Sequence, residues 1–150
     1  MYHYTDGGLK NVWLANGFKL HKTAYGEAVA VEDGDGLTKA IALALTKKKS
    51  KLTGVEYRFM RQAMLMSQEA LGKMLGVTSQ AVAIWEKTGR VTKLADTSLR
   101  LIYTAFANGD EKVKNIFTAI NETERFMLIM RETPEGWTAS KTTDESLLTA

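Results

Sequence analysis

Residues Ser67–Arg90 read SQEALGKMLGVTSQAVAIWEKTGR, and this stretch decides the fold. Ser67 is suited to cap a helix, its side-chain oxygen taking an orphan backbone N–H. Leu71, Met74 and Leu75 then recur at helical spacing and give that helix a face to bury. Gly76 follows, where a chain leaving a helix most often turns left-handed. Thr78 is a second N-cap, and Val82 and Trp85 set an apolar pair on the next helix. Gly72 has no side chain, so the two helices can approach closely there. Helix, glycine turn, helix with these offsets is the pattern of a helix-turn-helix.

A helical hairpin inside an all-helical core has the same periodicity, so the outward face must discriminate. Ser79, Gln80, Ala83, Ile84 and Lys87 point away from Val82 and Trp85. Four of the five are uncharged, which is unusual for a solvated face and suits one that meets base edges. Gln pairs with adenine in the major groove, and Ile can touch a thymine methyl. Charge agrees. From Lys47 to Arg100 there are eleven Lys/Arg against four Asp/Glu, whereas residues 1–46 carry a net −1 and residues 101–150 a net −3. Positive charge gathers where phosphate contact would need it.

Working outward, the first 36 residues read as β structure. Val12–Ala15 and Phe18–His21 flank Asn16-Gly17, a strong hairpin signal. Ala24-Tyr25-Gly26 is a second turn and Glu27–Glu32 a third strand. Asp33-Gly34-Asp35-Gly36 reads as a turn and helix cap; it lacks the later acidic ligands of a calcium loop. A short helix over Leu37–Leu45 and a basic linker over Lys47–Lys51 lead into the second part. Thr53 caps a helix from Gly54 to Leu65 that turns Tyr57, Met60, Arg61 and Met64 to one side. Two further helices are expected, one over residues 95–109 and one after Asp110 carrying Val113, Ile116, Phe117 and Ile120. Phe126–Met130 and Trp137–Ala139 flank the turn Pro134-Glu135-Gly136 as a tail hairpin. The seven methionines read as core filler.

The expected fold is therefore α+β: a small N-terminal antiparallel β-sheet with a short helix, a five-helix domain, and a C-terminal β-hairpin. The boundaries read as a β-rich module over 1–50, the helix-turn-helix domain over 51–121, the hairpin over 122–141 and a flexible end over 142–150. With no cysteine, disulfides and thiolate metal sites are excluded. His3 and His21 read as surface residues, and no metal or other cofactor is expected. No apolar run reaches membrane-span length, and the start lacks the blocks of a signal peptide. A soluble cytoplasmic protein is expected. Nothing assembles a nucleophile, base or phosphate-cradling loop, so an enzyme is not expected.

Residues 54–108 resemble the Xre family, the lambda-repressor and Cro-like helix-turn-helix regulators. Arg61, Ser67-Gln68, Leu71, Leu75-Gly76-Val77, Val82, Trp85-Glu86 and Gly89 carry the likeness. The resemblance implies that Gln68 bonds a DNA phosphate and braces the recognition helix. It implies base reading by Ser79, Gln80 and Ile84, with Thr78 and Ala83 beside them. Lys87, Thr88 and Arg90 would hold the phosphate backbone, and Arg61 would pair with Glu86 as a structural tie. Gly72 replaces the family's usual alanine, which by helix propensity costs about 1 kcal/mol. Val91-Thr92 stands where a proline often follows. The implied function is a homodimeric transcriptional repressor reading a palindromic operator in double-stranded DNA. The whole chain more loosely resembles MqsA/YgiT-type antitoxin regulators, without the zinc cysteines of their N-terminal module. The alternative it implies is an antitoxin that binds a partner toxin and autoregulates its operon.

Overall fold

A computed structural model describes residues 1–119 and 126–148, and the chain is α+β. Four strands come first: β1 (Tyr2–His3), β2 (Trp13–Leu14), β3 (Phe18–Thr23) and β4 (Gly26–Val31). Six helices follow: α1 (Gly34–Thr46), α2 (Gly54–Ala63), α3 (Gln68–Leu75), α4 (Ser79–Thr88), α5 (Lys93–Ala107) and α6 (Glu111–Ala119). Strands β5 (Met127–Thr133) and β6 (Gly136–Thr142) and a 3-10 turn at Glu145–Leu148 complete the described chain.

Local capping chemistry sets the helix starts. Thr53, Ser67, Thr78 and Thr92 each accept the N–H three residues on. At Thr53 the exchange is reciprocal, with Glu56 accepting the Thr53 N–H. Asp33, left-handed at φ 47°, accepts from Gly36 and starts α1 at Gly34, ahead of the expected Leu37. Likewise Thr92 starts α5 two residues before the expected 95. Gly76 and Gly89 end α3 and α4 in left-handed conformation.

Strand pairing departs from the expected three-stranded sheet. β2 does not pair with β3 across Asn16-Gly17; it pairs with β1, Tyr2 opposite Leu14 and His3 opposite Trp13. The His3 ring stacks on Trp13 at 4.1 Å, a side-chain contact that favours this partner. Asn16-Gly17 instead bends the chain, and the Gly17 carbonyl accepts the Glu32 N–H to extend the β3–β4 pairing. The result is antiparallel strand pairs, β1–β2 and β3–β4, with β5–β6 as a third.

The helices bury Tyr57, Met60, Leu71, Val82, Leu99, Ile102 and Tyr103 in one cluster that includes Leu9, Ala42 and Leu52. Removing a Leu or Val side chain from water stabilises by about 1.5–3 kcal/mol. The N-terminal residues thus share a core with the helices, and the compact units are Met1–Ala119 and Ile120–Ala150. Met60 and Met64 are buried, and Met66 and Met74 pack against the core. Met1 and Met130 are exposed, so filler describes only part of the set. Ile116 on α6 is exposed rather than packed. Ile120 and the Phe117 side chain lie outside the described residues, as do residues 149–150. Among the described residues no helix is long and apolar enough to cross a membrane.

Candidate nucleic-acid interface

The seat of α4 is set by what lies beneath it. Val82 is buried, and the Trp85 ring meets Tyr57 edge-on at 6.0 Å and 81°. Backbone approaches are close. A Cβ on Gly54 would stand 2.1 Å from the Glu86 carbonyl oxygen, and one on Gly72 2.7 Å from that of Val77. Arg61 reaches under α4 and grips Glu86 with both prongs, Nε to Oε2 and Nη2 to Oε1, each at 2.8 Å. Its Nη1 donates to the Met66 carbonyl, fixing the exit of α2 as well. This pair is buried, with its donors and acceptors met, so it holds α4 in one orientation.

Gln68 joins the same knot, its Nε2 donating to Glu86 Oε1 at 3.2 Å. The contact ties the start of α3 to the end of α4. An amide nitrogen carries two hydrogens, so one remains for an acceptor outside.

Along the outer side of α4, Ser79, Gln80, Ile84 and Lys87 are exposed, and Ile84 shows 56% of its surface. Ala83 is half-buried and gives this face a flat margin. Thr78 is exposed but its hydroxyl is engaged as the cap, accepting the Ala81 N–H. Thr88 Oγ1 donates to the Ile84 carbonyl at 2.7 Å and accepts the Arg90 N–H, which shapes the turn holding exposed Arg90. The residues singled out in the sequence therefore fall on one helix and its two ends, with Gln68 adjoining through Glu86.

Electrostatics sharpen the picture. All four carboxylates between residues 47 and 100 are paired: Glu56 with Lys48, Glu69 with Lys73, Glu86 with Arg61, and Asp96 with Arg100. Seven cations, Lys47, Lys49, Lys51, Arg58, Lys87, Arg90 and Lys93, are exposed without a carboxylate partner among the described residues. The local positive excess is thus surface charge. Burial alone would raise the Glu56 carboxyl, but the Lys48 ammonium and the Thr53 hydrogen bonds outweigh it and hold the group below its ordinary value. Burial, with the nearby Glu86 and Asp96 charges, pushes the Tyr57 phenol up and keeps it neutral.

Reading Lys47–Lys51 as a linker missed how close part of it lies to the end of α4. Lys51 Nζ donates to the Val91 carbonyl at 3.3 Å. The density of lysine was the available signal; a contact forty residues away in sequence was not legible. Comparison with protein-family models, curated proteins and solved structures gives no match to this chain.

Proposed function

We propose that this chain is an Xre-type, sequence-specific regulator of transcription that binds double-stranded DNA through the outer face of α4. The observation that carries the reading is an exposed, largely uncharged helix face seated on a buried ion pair and bordered by exposed cations. Such a face suits base edges, and the cations suit phosphates. In this reading Ser79, Gln80 and Ile84 select the sequence, with Ala83 allowing close approach. Gln68, Lys87, Thr88 and Arg90 hold the backbone, and Thr78 orders the first turn of α4. No chemical step is assigned to the chain.

A single recognition helix covers only a few base pairs, and two on a two-fold axis read a palindrome. Register puts Leu128, Met130, Trp137 and Ala139 on one face of the β5–β6 hairpin, and Trp137 exposes 67% of its surface. An isolated two-stranded hairpin is marginal in water. That exposed face supports a homodimer. It equally favours the second reading, an antitoxin covering the hairpin with a toxin. The mass of the purified chain in solution separates them: a dimer supports the first, a monomer that pairs only with a neighbouring gene's product the second.

The decisive test of DNA binding is selection from a random duplex pool by the purified protein. A palindromic consensus with half-sites about one helical turn apart is expected. No enrichment rejects the reading.

A further inference from the structure

Clustered like charges repel and ordinarily keep a linker extended. The run Lys47-Lys48-Lys49-Ser50-Lys51 is instead pinned. Arg100, partnered by Asp96, donates Nη1 to the carbonyls of Thr46 and Lys48 and Nη2 to that of Ser50 at 2.7 Å. Three alternate carbonyls are thereby turned toward α5. Lys48 bonds Glu56, and Lys51 bonds the Val91 carbonyl just after α4. Between the run and α5 lies an open cleft of about 420 Å³, its lining including Lys49, Lys51, Lys93 and Thr97. The one carboxylate there, Asp96, is already met by Arg100 and the Leu52 N–H.

We infer that this cleft is a second DNA-phosphate site, continuing the strand grip of Lys87, Thr88 and Arg90. The inference rests on the DNA-binding reading above. Continuity carries it. Arg90 and Lys93 bracket Val91, whose carbonyl anchors Lys51, and Gly54 at the start of α2 packs against the backbone of Glu86. Lys93, three residues beyond Arg90, lines the cleft together with Lys49 and Lys51, and so joins the segment after α4 to the pinned run. Chemistry chooses the ligand class. The Arg100 guanidinium is engaged by the Asp96 carboxylate and three backbone carbonyls, so the cleft offers lysine point charges rather than a bidentate clamp. Point charges along an open cleft suit the repeated phosphates of a duplex and read no bases.

The test compares the full-length wild type with Lys49→Ala/Lys93→Ala on the selected consensus duplex over a salt series. Lys39→Ala, an exposed change on α1, is the control. The double variant should bind the same consensus with a log–log salt slope shallower by about 2, near 0.9 per lost phosphate contact. Neither side chain anchors the fold, so the thermal unfolding midpoint should hold, and Lys49→Gln/Lys93→Gln should repeat the result. Unchanged slope with normal consensus binding overturns this inference and leaves the DNA reading standing. Failure of the wild type to bind any duplex overturns both. Loss of inorganic phosphate binding in the variant, with an unchanged DNA slope, assigns the cleft to a free anion and also overturns it.

Discussion

Gln80 and Lys87 lie about two turns apart on α4 and are expected to fail differently when truncated. Gln80→Ala should cost about 1–3 kcal/mol of discrimination at one base position, while Lys87→Ala should weaken all sequences alike and lower the salt slope by about 1. Binding to the consensus and its single-base variants across salt checks both; equal loss on specific and random DNA for Gln80→Ala would remove α4 as the reader. Glu86 and Arg61 belong to stability instead. Arg61→Met leaves a buried carboxylate without its cation and should cost about 3–5 kcal/mol in denaturant unfolding, with Arg61→Met/Glu86→Leu less harmful than the single change. Glu56 supplies a pH signature. Its folded value lies below the 4.5 of an unperturbed group, so its stabilisation is complete above that pH and is lost as pH falls through the folded value. Glu56→Gln should flatten the stability curve below pH 4.5, as read from denaturant midpoints. Gln80 and Lys87 stood out in the sequence by type and offset, and the Arg61–Glu86 pair followed from the family resemblance, whereas the part of Glu56 in the Thr53 cap emerged only from the structure. The internal bonds of Thr88 were not legible, because hydrogen-bond partners are chosen by packing.

Between α2, α3 and α4 the decisive feature is close backbone approach. Helix propensity favours Ala over Gly by about 1 kcal/mol. At Gly54 and Gly72, however, an added Cβ would meet a neighbouring carbonyl oxygen at 2.1 and 2.7 Å. Gly54→Ala and Gly72→Ala should therefore destabilise by about 1–3 kcal/mol as the helices shift apart. Gly34→Ala, with open space around it at the start of α1, should be neutral or mildly stabilising. A Gly72→Ala protein with a raised unfolding midpoint would refute the close-contact account and restore the propensity argument. Helix starts were readable to within a few residues, since caps are bonds across three residues. The partner of β2 was not: Asn16-Gly17 is a sound turn signal, but the His3–Trp13 stack lies far from it in sequence.

For the whole molecule, Met1–Ala119 contains the buried cluster and is expected to unfold cooperatively without the tail. A chain ending at Ala119 should keep the circular dichroism of its helices and one sharp thermal transition. If the β5–β6 hairpin dimerises the protein, that truncation should be monomeric in light scattering and lose most affinity for the full palindrome while keeping weak half-site binding. A truncated chain that remains dimeric would move the interface to Met1–Ala119, where Leu94 and Leu101 on α5 are exposed. The sequence alone determined the α+β composition, the helix-turn-helix of α3 and α4 and the exposed side of α4, because caps, helical periodicity and turn glycines act over three or four residues. Tertiary structure decided which strands pair, that the first fifty residues share the helical core, and that Arg100 pins the lysine run beside the end of α4. Those outcomes depend on contacts between residues distant in the chain, which no local pattern encodes. The motif from Ser67 to Arg90 could be read from its own residues, and its tie to Arg61 followed from the family resemblance; its contacts with Gly54 and Lys51 could not be read.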